Sequence, residues 1–525
     1  MEKWSVINHY RNLLSAESNY IQKFGRVKIA LVYPNKYEIA MQNIGYQDVY
    51  RIFNSFDSVS CERFVLDFLE NNLSIENQRF LREFDIIALS INYEEDIINF
   101  IKFLSNESIP IFNYQRDNSY PLIIAGGALT FINPSILIDI VDVELLGDIV
   151  VMSNDLELIF SHYLNKEDAI KSLKKLPYAL TKDKYPAKVV LRNKNYIIAS
   201  TIKTSKGEFA REYLVELSSG CKYSCRFCTA TFAYRPFRVF NFNKVKEKIL
   251  SESFSKELGL ISAAFGDLPD VKDKLQFFIE KGFKISVSSL RADTLDRELI
   301  EILKRGSVKS ITIAEETCSD RLKKLINKMV SKESVLNVAN MVADCGVENL
   351  KLYYMIGLPT ETYDEALMIV DRIKEIAEIF FNAQKKKFNR LGKIKVSINI
   401  FIPKPFTPLQ YFGLQEKKII EEKVRGLRKK LGRIPNIKYD IMSYKSAILQ
   451  AFLARGESYL YNFYEKLLEE GFNIQKTLKL MNAESVVTRC FDENYIFLWE
   501  KLVDPNFDKD ILKSEFKKCL KILEE

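Results

Sequence analysis

The sequence predicts an α/β protein with three parts: a doubly wound parallel sheet, a barrel of alternating strands and helices, and a helical C-terminal region. Its 525 residues exceed what one ordinary core accommodates, so we expect several domains. Short apolar runs rich in β-branched residues alternate with helical patterns, as in parallel sheets. With 47% apolar and 12% aromatic residues, the composition is that of a globular chain and not a disordered one.

The first predicted domain, residues 1–160, begins with a helical segment at 1–24. Four apolar runs then predict strands with helices between them, at residues 27–33, 85–91, 121–127 and 141–147. Doubly wound sheets bind ligands at the carboxyl ends of their strands. The candidate cofactor-binding residues at those ends are Tyr33, Ser90, Asn92, Gly126, Gly127, Gly147 and Asp148. Glycine at a strand end is also common in ordinary turns, and that explanation stays open.

Residues 161–210 are predicted to form a linker, with helices to about residue 180 and a short β-ribbon from residue 187. Residues 211–410 predict a partial (βα)6 barrel, because strand-like and helix-like segments alternate there. Residues 411–525 predict a helical domain, since several of their helical patterns are followed by glycine, the usual C-cap residue.

Three cysteines, Cys221, Cys225 and Cys228, lie in one loop after an apolar strand of the predicted barrel. Thiolates are the usual ligands of iron–sulfur clusters, and a four-iron cluster held by only three of them leaves one iron for a small molecule. A zinc site would need a fourth ligand, yet the two histidines, His9 and His162, are far away in the sequence. We predict a 4Fe-4S cluster; zinc and unrelated core cysteines are the weaker alternatives.

The Cys-x-x-x-Cys-x-x-Cys spacing resembles the motif of the radical S-adenosylmethionine (radical SAM) superfamily. The resemblance implies that SAM binds the open iron and is cleaved to a 5′-deoxyadenosyl radical. It also implies a low-potential electron donor of the flavodoxin or ferredoxin type. The residues assigned to the cluster and SAM sites are Phe227 in the cysteine loop, and Gly266, Asp267, Ser289, Arg291, Glu316, Arg321, Ile356, Gly357 and Leu358 after later strands.

Within the first domain, GGALTFINPSILIDIVDVELLGD resembles the cobalamin-binding domain that precedes many radical SAM domains. Asn133 follows the double glycine as in relatives, so it joins the candidate residues, and Asp148 stands where relatives usually have Glu. The region has no Asp-x-His-x-x-Gly motif, which resembles the mode in which no histidine binds cobalt from below. A domain kept as a scaffold without cobalamin stays an alternative.

The net charge of +8 is unevenly distributed. Residues 1–165 have 12 Lys and Arg against 22 Asp and Glu, so the remainder is strongly basic. A basic region suits a phosphate-rich partner, although Lys-rich helix faces are commonly only solvated. RNA and protein substrates both stay open. No apolar run reaches the ~18 residues of a membrane span and the N-terminus resembles no signal peptide, so we predict a cytoplasmic chain with reduced cysteines.

With further motifs near Arg455 and Trp499, the resemblance extends over about residues 27–520 to a little-characterised group of cobalamin-type radical SAM proteins. It implies a cobalamin-dependent radical SAM enzyme, and we expect a methyltransferase that acts on an unactivated carbon. The alternatives are a radical SAM enzyme of another reaction type, such as cyclisation, rearrangement or C–S bond formation, and an RNA- or ribosome-associated binding factor.

Overall fold

The front domain is built on one six-stranded sheet. The computed structural model describes residues 3–68, 70–207 and 211–524. The strands lie in the order Val59–Val65, Val27–Tyr33, Ile86–Ser90, Leu122–Gly126, Val143–Leu145 and Ala179–Leu180. The first five are parallel and the last is antiparallel. Because Val27–Tyr33, the first strand of this sheet along the chain, lies inside the sheet, the strand order reverses beside it. Doubly wound sheets bind ligands at such a switch point.

Helices cover both faces of this sheet, which confirms the predicted doubly wound arrangement. Alternate residues of Val27–Tyr33 belong to two separate apolar clusters, one on each face. The helices of this part of the chain are Lys3–Ser15, Tyr37–Ala40, Ile44–Ser55, Asp96–Asn106, Leu129–Ile132, Ile149–Ser161 and Lys166–Leu173.

Strand Val59–Val65 was not predicted from the sequence. Its residues VSCERFV are all buried, including Glu62 and Arg63, and the charges interrupt the apolar pattern of a buried strand. The Arg63 guanidinium pairs with the carboxylates of Glu17 and Glu76, each at 2.6 Å. Buried charges are tolerated when they are paired, so these ion pairs explain how a charged strand lies inside the sheet.

Seven parallel strands form the partial barrel, in two sheets joined by a bridge between Leu290 and Ile313. The strands are Glu212–Glu216, Glu257–Ile261, Lys284–Val287, Ser310–Glu316, Asn349–Ile356, Lys393–Ile400 and Ile437–Ile441. The main helices between them are Phe242–Glu252, Val271–Glu280, Arg297–Arg305, Asp320–Leu325, Lys332–Asp344, Tyr363–Phe388 and Lys417–Leu431. The seventh strand lies in the region that the sequence predicts to be helical, so the domain boundary at residue 410 stays a prediction.

Alternate side chains of the barrel strands are buried. In Asn349–Ile356 and Lys393–Ile400, every second residue is buried and the residues between are partly or fully exposed. The buried set belongs to the same core as helix Tyr363–Phe388 outside the barrel. The exposed set therefore faces the inside of the barrel, since successive side chains of a strand point to opposite faces.

The β-ribbon predicted from residue 187 forms only in part, where Ala199 pairs antiparallel with Val215 of the first barrel strand. Ala187–Lys188 pairs with Val503–Asp504, and Lys203–Thr204 pairs with Glu17–Ser18. The sequence identified extended segments but not their partners. The linker is therefore attached to both the C-terminal region and the N-terminal segment.

The C-terminal region packs into two apolar cores: its helices between residues 444 and 488 join the barrel core, whereas residues 497–519 pack against parts of the front domain and the barrel. Trp499 is buried and its ring stacks on Phe497 with a centroid separation of 4.4 Å. Within the described residues, the chain has no helix with the length and apolar character of a membrane span. Its helices are Tyr444–Ala454, Tyr459–Glu469, Ile474–Leu480, Ala483–Thr488, Leu498–Leu502 and Asp510–Glu524.

Candidate functional site

The three cysteines lie in a loop beyond the carboxyl end of the first barrel strand. This loop is anchored by Arg226, which stands between the second and third cysteines. Its guanidinium donates hydrogen bonds to the carbonyl oxygens of Lys324 and Leu325, both at 2.9 Å. It also pairs with Glu515 of the last helix at 2.8 Å. The loop is therefore held by both the barrel and the C-terminal region.

The three thiols are electrostatic neighbours. Burial and the nearby Cys228 and Cys221 thiols raise the pKa of Cys225 to about 11, against the lowering effect of Lys328 and Arg291. Among the described residues, no three His, Cys, Asp or Glu side chains converge as on a single metal ion. In a cluster, the thiolates are distributed over different irons. Lys328 and Arg291 oppose the effect of burial only in part, and iron binding would deprotonate the thiols. Three cysteines in one loop fit a 4Fe-4S cluster.

Asp267 lies against the cysteine loop, as the sequence predicts for a residue that binds SAM. Its Oδ1 accepts hydrogen bonds from the Tyr223 hydroxyl at 2.9 Å and pairs with Lys222 at 2.7 Å. Its Oδ2 is buried with no partner among the described residues. An orphaned carboxylate oxygen suits an ammonium group. Gly266 has no room for a side chain, because a Cβ would lie 2.3 Å from Thr294 Oγ1.

Arg291 also reaches the cysteine loop. Its guanidinium lies 3.8 Å from the centroid of the Tyr223 ring, and its terminal nitrogen is 4.0 Å from Cys225 Sγ. Asp293 pairs with it at 2.7 Å and fixes its direction. Ser289 is exposed beside it, after the third barrel strand. Arg291 therefore lies beside the cysteine loop, and the predicted contacts of both residues with SAM stay predictions.

Glu316 stands at the end of the fourth barrel strand, in the left-handed region with φ of 70°. The pairing of its strand with the next one is shifted between Ala314 and Glu316, and such irregularities re-aim side chains. Lys328 donates to its carboxylate at 2.8 Å and also lowers the pKa of Cys225. Glu316 therefore connects to the cluster loop through Lys328.

Arg321 corrects a sequence prediction. One guanidinium edge is taken by the Glu365 carboxylate, with contacts of 3.1 and 2.7 Å, and the other donates to the hydroxyl and carbonyl oxygens of Thr360 at 2.9 and 3.1 Å. Hydrogen bonds from Arg321 offset the effect of burial and lower the pKa of Glu365 to about 2. Arg321 therefore fixes the start of helix Tyr363–Phe388, and we do not assign it to SAM.

The segment around Gly357 is also more structural than predicted. Ile356 and Leu358 are fully buried, and the Gly357 amide donates to Glu361 at 2.5 Å. Gly357 has φ of 77°, and a Cβ there would lie 2.6 Å from Ile420 Cδ1. The glycine permits this close packing against a helix; its predicted contact with adenine stays a prediction.

Phe227, predicted beside the cluster, is half-buried and packs against the apolar core that contains Trp499. Its side chain therefore joins the cysteine loop to the C-terminal region. This contact accounts for an aromatic residue here, and the predicted contact of Phe227 with a cofactor stays a prediction.

A cavity of about 470 Å³ opens at the carboxyl edge of the front sheet. Six predicted residues line it: Ser90, Asn92, Gly126, Gly127, Gly147 and Asp148. The opposite wall comes from the linker and the barrel, with Arg192, Ser219, Tyr234 and Arg238. The cavity therefore lies between the front domain and the segment that follows the first barrel strand.

The glycines of this cavity have different roles. A Cβ on Gly126 would meet nothing within 4 Å, so this residue faces open space. Gly127 has φ of 106°, and a Cβ there would lie 2.4 Å from the Ile91 carbonyl oxygen. Gly147 has φ of 121° and closely approaches Val190 of the linker. Gly126 keeps the cavity open, whereas the other two shape its backbone.

An ion-pair network crosses the cavity wall. Arg192 pairs with Asp148 at 2.8 Å and with Glu216 of the first barrel strand. Arg238 lies 3.6 Å from the same aspartate. Asp148 was predicted from the sequence, whereas Arg192 was missed because nothing in the linker marks it. The network fixes the front domain, linker and barrel around one cavity.

Two predicted residues do not line the cavity. Asn133 is fully buried, and its amide donates to the carbonyl oxygen of Ala454 at 3.0 Å. It therefore holds the C-terminal region against the front domain and does not contact a cofactor in the cavity. Tyr33 is buried against Tyr46, with ring centroids 5.3 Å apart. Both side chains have structural roles in place of the predicted contacts.

Comparison with known proteins supports the family that the cysteine motif indicates. Residues 45–180 match the family described as radical SAM proteins, N-terminal, and residues 215–373 match the radical SAM superfamily. The uncharacterized protein MJ0966 of Methanocaldococcus jannaschii is 30% identical over 83% of this chain and 90% of its own length. The ribosomal protein uS12 methylthiotransferase RimO of Clostridioides difficile is 26% identical over 35% of this chain and 42% of its own length.

Solved structures are similar at low sequence identity. The cobalamin-dependent SAM radical enzyme OxsB, with aqua-cobalamin and SAM bound, is 13% identical over 95% of this chain and 79% of its own, with a TM-score of 0.49. The radical SAM methyltransferase TsrM of Kitasatospora setae, with tryptophan and a SAM analogue bound, is 11% identical over 73% and 75%, with a TM-score of 0.48.

Proposed function

Because this chain belongs to the radical SAM superfamily, we propose that it is a cobalamin-dependent enzyme that methylates an unactivated carbon atom. When bound, the cluster and SAM supply a 5′-deoxyadenosyl radical, and methylcobalamin supplies the methyl group. The observation that carries the proposal is the cavity between the front sheet and the barrel. It leaves room for a second cofactor on the side of the barrel where the cluster ligands lie.

The inner part of the cavity supports an elongated ligand. Beyond the glycines at the sheet edge, the lining turns apolar and continues between the sheet and two helices, Ile44–Ser55 and Ile149–Ser161. Phe53 and Met152 of these helices face Ile124 of the sheet across this space. An apolar branch of this kind would hold the nucleotide tail of cobalamin, while the flat ring would lie at the polar sheet edge.

The polar residues would orient the cofactors. Asp267, with its orphaned oxygen, would accept the SAM ammonium group, and Arg291 would bind the SAM carboxylate. On the cobalamin side, Asn92 is held in place, because its Oδ1 accepts a hydrogen bond from Ala128 at 2.9 Å. The ion pairs of Arg192 keep the two sides together and limit the access of water.

The test is reconstitution under anaerobic conditions with iron, sulfide and cobalamin, followed by reduction in the presence of SAM labelled on its methyl group. We expect a four-iron EPR signal, bound cobalamin by its visible absorbance, and 5′-deoxyadenosine. Transfer of the label to a substrate found in the cell extract would complete the proposal. Protein that forms deoxyadenosine but retains no cobalamin contradicts the methylation half and leaves another radical reaction, such as C–S bond formation.

A further inference from the structure

Four lysines on the inner face of the barrel indicate a class of substrate. This inference rests on the proposed function. Lys351, Lys395 and Lys438 occupy directly opposed positions on the three last strands. Neighbouring strands lie about 4.8 Å apart, so this lysine row extends over about 10 Å. Lys393 precedes Lys395 by one pleat on the same face.

The lysine row has no close counter-charge among the described residues, although Asp440 lies on the same face two residues after Lys438. Among the described residues, none of its three ammonium groups, nor that of Lys393, has an ion pair or hydrogen bond. Other lysines around the barrel are paired: Lys328 contacts Glu316 at 2.8 Å, and Lys423 contacts Glu361 at 3.0 Å. Like charges that face each other across strands are destabilising, so this arrangement has an energetic cost that a bound anion would remove.

We propose that the lysine row binds the phosphates of a single-stranded nucleic acid whose reactive nucleotide lies at the cysteine loop. Four unpaired lysines exceed what one phosphate neutralises, whereas a chain of phosphates matches a row of positive charges. Tyr353, the next inward residue after Lys351, is 38% exposed and presents a ring on which a base can stack.

The depth of the lysine row below the carboxyl end of the barrel, the end at which the cluster loop lies, favours a chain over a small metabolite. Lys351 precedes Ile356, the last residue of its strand, by five positions, or about 16 Å. Consecutive phosphates follow every 3.4 Å of axis in a stacked strand, so about 16 Å covers several nucleotides. Entry is open, because Ile437–Ile441 is the edge strand of the sheet and carries Lys438.

The test is fluorescence anisotropy of the full-length protein with labelled single-stranded RNA and DNA of about ten nucleotides, at several salt concentrations. Lys351→Gln, Lys395→Gln and Lys438→Gln together should weaken binding at least about tenfold and reduce the log–log salt slope by about 2, at about 0.7 per phosphate contact. The matched control carries Lys385→Gln, Lys386→Gln and Lys387→Gln on an exposed helix end and should bind as the unmodified protein does. Tyr353→Leu should weaken binding about tenfold without changing the salt slope.

Two further measurements do not depend on the folding of the triple variants. Bound RNA should protect Lys395 of the unmodified protein from acetylation, read by mass spectrometry. Lys395→Gln should raise the melting temperature without RNA, because it relieves like-charge repulsion.

Three results would overturn the proposal. They are an equal loss of RNA binding in both triple variants, no protection of Lys395 from acetylation, and binding of mononucleotides and inorganic phosphate but not of oligonucleotides. Deoxyadenosine formation in the same preparations reports on the proposed function separately, so each can fail alone.

Discussion

The front cavity and the cysteine-loop site are built by different means. The cavity is bounded mainly by glycines and apolar side chains, and its polar wall is neutralised by ion pairs between Arg192, Asp148 and Glu216. The cysteine loop is surrounded by charged groups with spare capacity, such as Asp267 with its orphaned oxygen and Arg291 beside Cys225. We therefore expect the cavity to select its ligand by shape and the cysteine-loop site to select its ligand by charge.

This difference has a direct consequence for mutagenesis. A charge-removing substitution should affect the cysteine-loop site strongly, because charge-assisted hydrogen bonds contribute more than neutral ones. A side chain that adds volume should affect the cavity strongly, because the space itself is the binding determinant. Charge-removing substitutions therefore test the cysteine-loop site, and substitutions that add volume test the cavity.

The largest effect should come from Cys225→Ala. The loop offers only the three thiolates that the predicted cluster needs, so loss of one should abolish the cluster. Both iron content and deoxyadenosine formation should then fall to background. Cys345→Ala, at a half-buried cysteine outside the loop, is the control and should keep both. Iron analysis and EPR decide the result; a fully loaded, active Cys225→Ala protein would refute the assignment of the loop.

A smaller loss, confined to the front cavity, should follow Gly126→Phe. The new ring would project into open space, so cobalamin affinity should fall by about 100-fold or more while SAM cleavage is retained. Gly126→Ala adds only a Cβ that meets nothing within 4 Å and should bind nearly normally. Absorbance titration of both variants measures the effect. Unchanged binding by Gly126→Phe would place cobalamin outside this cavity.

The sequence predicted the parts of these sites that follow from strand order and local motifs. The three cysteines, Gly266 and Asp267, and the glycines of the front sheet all lie at carboxyl ends of strands, where the fold must bring them together. The strand pattern also sufficed for the doubly wound sheet and six barrel strands. Those features depend on short-range periodicity, which a sequence displays directly.

What the sequence could not predict depends on contacts between distant residues. Arg192 lies in the linker and joins two domains. In strand Val59–Val65, the charge of Arg63 is neutralised by Glu76, which is not part of that strand. Arg321 was assigned to a cofactor because its chemistry suits a carboxylate, but that carboxylate belongs to Glu365. Asn133 was likewise assigned from a motif, yet it supports another domain. Residue type indicated the right chemistry in these cases but not the partner.

Asp267→Asn tests the charge-based side of the comparison. The neutral amide should weaken SAM binding by about tenfold to 100-fold, because one charged hydrogen bond is lost while the shape is kept. Cobalamin binding should be unchanged. Asp270→Asn, three residues away and exposed, is the matched control. Equilibrium dialysis measures the affinity of each variant for SAM. An equal loss of affinity in both variants would indicate a long-range electrostatic effect and not a direct contact between Asp267 and SAM.

The smallest effect concerns stability and pH. Burial, followed by Glu95 and Glu94, raises the pKa of Asp96 to about 6, although Asn35 donates to its carboxylate. A raised pKa means that the folded state prefers the protonated form, so the protein loses stability as pH rises from about 4 through 6. Asp96→Asn removes the charge and should raise the free energy of unfolding by about 1–3 kcal/mol at pH 8.

At pH 4 this advantage should disappear, because Asp96 is then largely protonated in the folded protein and half-protonated in the unfolded chain. Urea denaturation of both proteins across this range measures the difference, and Asp57→Asn, at an exposed position of the same domain, should show no such trend. In the barrel the opposite holds, since Arg321 lowers the pKa of Glu365 to about 2. A pH-independent advantage of Asp96→Asn would mean that the gain does not come from the charge of Asp96, and it would contradict the raised pKa.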